Sequence, residues 1–166
     1  MRIHHDAVGT ELNTIKFKDA KRGKDIINAV KHWEQRTLVA WAADCAEQVL
    51  PLFEQQVPGD DRPRRAIEAG RAWSRKEISM SEARKAAFAA HAAARDAGNE
   101  AATAAARAAG HAAATSHVTG HAIHAATYAA KAAAYSSGAV GPGDAVEAIR
   151  DWQYQLVLAR EGKVST

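Results

Sequence analysis

Residues Asn99 to Ser137 read NEAATAAARAAGHAAATSHVTGHAIHAATYAAKAAAYSS. Nearly every position is alanine or another small residue. His111, His117, His121 and His124 are nevertheless set into the run, and after Glu100 no carboxylate appears until Asp144. Alanine is the strongest helix former and presents little surface to bury. The stretch therefore predicts one or two buried helices that approach their neighbours closely, with the bulky partners supplied from elsewhere in the chain. Gly110 and Gly120 interrupt it, either as breaks or as points where another backbone comes near.

The composition agrees with that reading. Leu, Ile, Val and Phe make up only about a sixth of the 166 residues, and alanine about a quarter. A chain of this length fits one domain with one core, but a core so poor in large aliphatics needs close helix packing. The fold class expected is all-α, a compact single-domain bundle of about six helices around alanine-rich central ones. Residues 1–23 form a loosely structured lead-in to a domain that spans 1–166, and the thin core leaves a homodimer open. The net charge of +3 is spread among interleaved acids and bases. This argues against a nucleic-acid surface, which would carry a basic stripe with aromatics. The basic run from Lys16 to Lys24 is read as a solvated segment. A single cysteine, Cys45, leaves no intramolecular disulfide, and no apolar leader is visible, so a cytoplasmic location is expected. Residues 108–130 carry no formal charge, but four histidines among them make a poor membrane segment.

Along the chain, Ile26, Ile27 and Val30 mark a short helix over Asp25 to His32. Leu38, Trp41, Cys45, Val49 and Leu52 mark a longer one from Arg36 to Gln56, with Pro51 predicting a kink after Glu47. Asp60 or Asp61 is placed to cap the next helix, which runs to about Lys76. Ser79-Met80-Ser81-Glu82 has the capping-box pattern before a helix ending at Gly98, and Asn99 caps the alanine-rich stretch. After Gly141-Pro142-Gly143 a last helix reaches Arg160, with Ala145, Ile149, Trp152 and Leu156 expected inward.

His117, His121 and His124 stand at i, i+4 and i+7, and Tyr128, Lys131 and Tyr135 continue the stripe, so one continuous helix would line them up. Two histidines four apart can chelate a metal, but no HExxH or Glu-x-x-His pattern accompanies them. The reading preferred here assigns neither metal nor cofactor. It is a polar seam of hydrogen-bonded imidazoles, with acids arriving from Asp44, Asp60, Asp61 and Glu68 in the first half of the chain. Glu68 is spaced to pair with Arg64 and Arg71. A Cys45 nucleophile poised by Asp44 and a distant histidine is possible on paper, though buried inert cysteine is far commoner.

Four segments together resemble a known family: WAADCAEQVLPLFE (Trp41 to Glu54), DDRPRRAIEAGRAW (Asp60 to Trp73), EARKAAFAAHAAAR (Glu82 to Arg95) and AAGHAAATSHVTGHAIHAATYAAKAA (Ala108 to Ala133). The chain is similar here to the immunity proteins of bacterial polymorphic-toxin systems, the class catalogued as type five. The resemblance implies an all-α fold and neutralisation of a cognate toxin. Carried onto this sequence, it picks out Asp44, Cys45, Glu47, Asp60, Asp61, Arg62, Arg64, Glu68, Arg71, Trp73, His111, His117 and His121; His124 and Tyr128 join them from the stripe. Two functions follow as expectations. One is a non-enzymatic binding protein that occludes a toxin, with Trp33, Arg150, Trp152 and Tyr154 as candidate anchors. The other is a small-molecule or metal-binding self-resistance module in which the His, Asp and Glu groups line a cavity.

Overall fold

The structure, a computed structural model, describes residues 15–162. Among them the chain forms α1 (Arg22–Val30), α2 (Gln35–Gln56), α3 (Arg62–Ser74), α4 (Met80–Asp96), α5 (Glu100–Ala114), α6 (His121–Tyr135), a 3-10 turn (Gly138–Val140) and α7 (Pro142–Arg160). The fold is all-α, and no strand occurs among the described residues. The alanine-rich stretch divides into α5 and α6, which brings the α-helices among the described residues to seven. The loosely structured lead-in expected over residues 1–23 lies mostly outside the described residues, and its last two residues open α1. Where it enters them, Ile15 and Phe17 are irregular backbone resting against the core.

Local signals set most boundaries. The Ser79 side chain accepts from the Glu82 amide at 3.1 Å and Glu82 reaches back to the Ser79 amide at 3.0 Å, so the capping box forms as written. Asn99 Oδ1 accepts from the Ala102 amide at 2.9 Å and opens α5. At α3 the capping carboxylate is that of Asp60, which takes the Arg62 amide at 3.1 Å; Asp61 instead pairs with Arg65. Helix α2 runs unbroken through the exposed Pro51 to Gln56.

Helix α5 is the hub, packed on α2, α3, α4 and α6. Its Ala102, Ala105, Ala106, Ala108, Ala109, Ala112 and Ala113 are all fully buried. A Cβ added at Gly70 of α3 would stand 3.6 Å from both the Ala112 carbonyl oxygen and the Ala113 Cα, so α3 lies almost backbone to backbone on α5. The large core side chains come from around the hub: Ile26 and Val30 of α1, Trp41, Leu50 and Phe53 of α2, Ile67 of α3. Alanine surfaces supply shape and the surrounding helices supply apolar area.

The inner face of α7 differs from the expected one. Val146, Ile149, Arg150, Gln153 and Val157 point in, while Ala145, Trp152 and Leu156 are only half-buried. Arg150, expected as an exposed anchor, is 2% exposed. Its guanidinium donates to both Asp19 oxygens at 2.9 Å, to Thr127 Oγ1 at 3.2 Å and to Gln153 Oε1 at 3.0 Å. Gln153 Nε2 in turn donates to the Ala126 carbonyl at 2.9 Å. Apolar periodicity could not find this face, because its two longest side chains are polar and satisfied by partners distant in sequence. Replacing Arg150 by Ala strands Asp19 and Gln153 and should cost about 2–4 kcal/mol. Urea denaturation checks this; a loss under about 0.5 kcal/mol, the range of an ordinary surface substitution, would mean that the network does not bind α7 to the bundle.

Candidate functional site

Helix α5 ends where small hydroxyl residues replace alanine. Thr115 and Ser116, both buried, turn their hydroxyls back onto the His111 and Ala113 carbonyls at 2.9 and 2.7 Å. Gln35 Nε2 donates to the freed carbonyls of Thr115 and Ser116 at 3.0 and 2.9 Å. The chain then turns through Gly120 into α6. His117 therefore lies in the turn, and the expected i, i+4, i+7 face of a continuous helix does not form. Folding back brings His121 beside His111, with their Nδ1 atoms 2.8 Å apart.

His111 is the centre of the cluster. Its ring stacks on Tyr128 at 5.2 Å with 13° between planes and lies 5.0 Å from His121 and 5.3 Å from His124. The ring of His91, from α4, meets it edge-on at 4.9 Å. His117 stands 5.8 Å from His121, and its Nδ1 is buried without a hydrogen-bond partner. His91, given no role from the sequence, is the residue that reading missed. Its signal was Gly110: a Cβ there would stand 2.7 Å from the His91 ring, so the glycine is a socket for an imidazole rather than a helix break.

Arg107 donates to His91 Nδ1 at 2.9 Å, which makes that nitrogen an acceptor and places the ring proton on Nε2. Burial, helped by Arg107, pushes His91 down to about 4. Burial together with His91, His121, His124 and Arg107 pushes His111 down to about 3. His117 and His121 are lowered too, chiefly by burial. At neutral pH these four are uncharged imidazoles.

The acids expected to meet them do not. Asp44 accepts from Arg71 and Arg160, each at 2.8 Å, and Glu47 pairs with Arg71 at 2.6 Å. Arg64 grips Glu54 through two bonds of 2.7 and 2.8 Å, and Arg62 grips Asp60. Glu68 is exposed, and the pairs expected with Arg64 and Arg71 are absent among the described residues. Trp73 sits under the Arg36 guanidinium, in a small cluster with Val39 and Ala83. Asp44, Asp61, Arg62, Arg64 and Arg71 thus make part-solvated ion pairs along α2 and α3, Trp73 packs under Arg36, Glu68 faces solvent, and none of the seven pairs with His111, His117, His121, His124 or Tyr128 among the described residues. Charge bridges so exposed contribute little stability each. Cys45 is fully buried, and burial raises its thiol well above the usual range, which disfavours a thiolate nucleophile.

Around the imidazoles the surface carries apolar and basic groups. Phe88 is 59% exposed under the Arg84 guanidinium, and Val118 in the turn is 50% exposed. On the far side, Tyr128 and Lys131 border an open groove of about 590 Å³ whose wall includes Arg95, Asn99, Glu100 and Tyr135.

A family model, Imm-5 like putative immunity protein, matches residues 28–160. The chain belongs to that family. No curated protein and no solved structure matches it. The matched range takes in this Imm-5 like chain from α1 into the last turn of α7, and so includes both the histidine cluster and the arginine–carboxylate network. No helix among its described residues is long and apolar enough to cross a membrane.

The depressed imidazoles fix the sign of one pH effect. An unfolded chain protonates these rings near the ordinary 6.5, whereas folded His91 and His111 stay neutral to about 4 and about 3. Their contribution is therefore complete above pH 6.5 and is lost as pH falls through that window. Because both rings are partly solvated, we expect the pair to account for on the order of 2 kcal/mol between pH 7.5 and 4.5, well below the full linkage value. Urea unfolding at both pH values, beside a His91→Gln/His111→Gln double variant, tests it. An equal acid-induced loss in the variant would show that these two rings are not responsible.

Proposed function

We propose that this Imm-5 like protein neutralises a cognate toxin by binding it, without catalysis, through the face that carries the histidine cluster. Family membership over residues 28–160 is the observation that carries the toxin-binding part. The choice of face is supported by side chains the fold leaves unspent: Phe88 and Val118 exposed beside Arg84 and neutral imidazoles. Interfaces concentrate their binding energy in a few aromatic and arginine anchors, and Phe88 under Arg84 is such a pair. Two anchors named from the sequence are committed internally, since Arg150 is buried and Trp33 donates to Glu161 at 3.1 Å. The groove beside Tyr128 and Lys131 supports a second reading, sequestration of a small molecule.

The test is co-expression with a candidate cognate toxin from the same genome, scored by growth and by affinity of the purified pair. Arg84→Glu/Phe88→Ala should weaken binding by about 10- to 100-fold and reduce protection, with an unchanged melting temperature. Full protection by the variant would move the interface elsewhere. Absence of any complex with the wild-type chain would remove the toxin-binding reading itself.

A further inference from the structure

Arg84, Phe88, His91 and Arg95 stand at i, i+4, i+7 and i+11 of α4, so their side chains share one face of the helix over about 16 Å. Arg107 of α5 joins this line by donating to His91 Nδ1 at 2.9 Å, and Lys131 of α6 borders the same groove as Arg95. After burial, which dominates, the charges of Arg107, His121 and Arg95 lower His91, and that of Arg84 lowers His117. The guanidiniums therefore lie around the histidine cluster, in a stripe where cations alternate with aromatic and neutral rings.

These cations are unspent, unlike those elsewhere in the fold. Arg62, Arg64, Arg65 and Arg71 of α3 and Arg150 and Arg160 of α7 each meet a carboxylate. Among the described residues Arg84, Arg95, Arg107 and Lys131 meet none. Arg84 instead lies over Phe88 and Lys131 over Tyr128, at 5.4 and 4.7 Å from the ring centres. The acids of α4 are committed, Glu82 to its capping box and Asp96 to Arg62 at 3.3 Å, which leaves Glu100 as the one carboxylate on the groove wall. Cations gathered without acids repel one another, and a partner of opposite charge relieves that repulsion and is steered in by it.

We propose that the toxin meets this stripe with an acidic surface, its carboxylates on Arg84, Arg107, Arg95 and Lys131 and its apolar groups on Phe88 and Val118. The inference rests on the toxin-binding reading and adds the chemistry of the partner. A nucleic acid would find phosphate contacts only at the few cations of the stripe. Exposed Phe88 and Val118 and the neutral imidazoles between those cations suit the apolar core of a protein interface with a charged rim.

The test measures association of the full chain with the co-expressed toxin at about 0.1 M and about 1 M NaCl, between which the screening length falls from about 10 Å to about 3 Å. We expect the on-rate to fall about 10-fold or more across that range. Arg95→Gln/Lys131→Gln should slow association about 3- to 10-fold at the lower salt and leave it near wild type at the higher. Arg64→Gln/Arg65→Gln removes the same charge from a pair of arginines already matched to Glu54 and Asp61, and should change the on-rate by less than about 2-fold. Melting curves confirm that both variants are folded. A complex insensitive to salt, or slowed equally by the two variants, overturns the acidic-surface inference and leaves toxin binding standing. Absence of any wild-type complex removes both. Binding of a duplex or single-stranded DNA of about 20 nucleotides with a Kd below about 0.1 µM at physiological salt, tighter than ordinary non-specific affinity, would overturn the inference by reassigning the stripe to nucleic acid.

Discussion

Close contact of backbones at α5 is the constraint on which the rest of the structure depends. Because its buried faces are alanine and glycine, α5 can be touched by α2, α3, α4 and α6 at once, and side-chain bulk is pushed to the periphery. Gly70 on Ala112 and Ala113 marks how close the backbones come. Packing of this kind is intolerant of added volume, so a bulky group on α5 must sit where neighbouring helices diverge or leave room for it. His111 lies near such an end, and Gly110 beside it leaves the room that the His91 ring fills. The clustering of imidazoles follows from the same small-residue packing that makes the core.

Two polar systems result, and they behave differently. Along α2 and α3, Arg62, Arg64, Arg65 and Arg71 each meet a carboxylate, so these charges cancel locally and bind the helices loosely to one another. On the α4, α5 and α6 side no carboxylate among the described residues acts on the depressed histidines, whose neighbours are one another, Tyr128 and the arginines. Such a surface has donor and acceptor capacity that the fold does not consume, which suits recognition of an outside group.

Much of this was legible in the sequence. Ser79 with Glu82, Asn99, and the Leu38 to Val49 spacing act within a few residues, and each appears in the structure as the local rule requires. Illegible were features decided across the chain. Thr115 and Ser116 end a helix by donating their hydroxyls to the His111 and Ala113 carbonyls while Gln35, far away in sequence, takes the carbonyls of Thr115 and Ser116, and this removes His117 from the expected stripe. Asp44 was claimed by Arg71 and Arg160 rather than by a histidine. Nothing local marks His91 within its alanine helix, because the room for its ring is made by Gly110 on α5.

The central claim, that alanine packing gathers these imidazoles into one group in which His91 and His111 are partly buried against their neighbours, is most directly tested by a ring-nitrogen NMR titration of ¹⁵N-histidine-labelled protein. The account predicts His91 as the Nε2–H tautomer at neutral pH, with His91 and His111 still neutral at pH 5. Independent titration of both rings near 6.5, the ordinary value for a solvated imidazole, would contradict it.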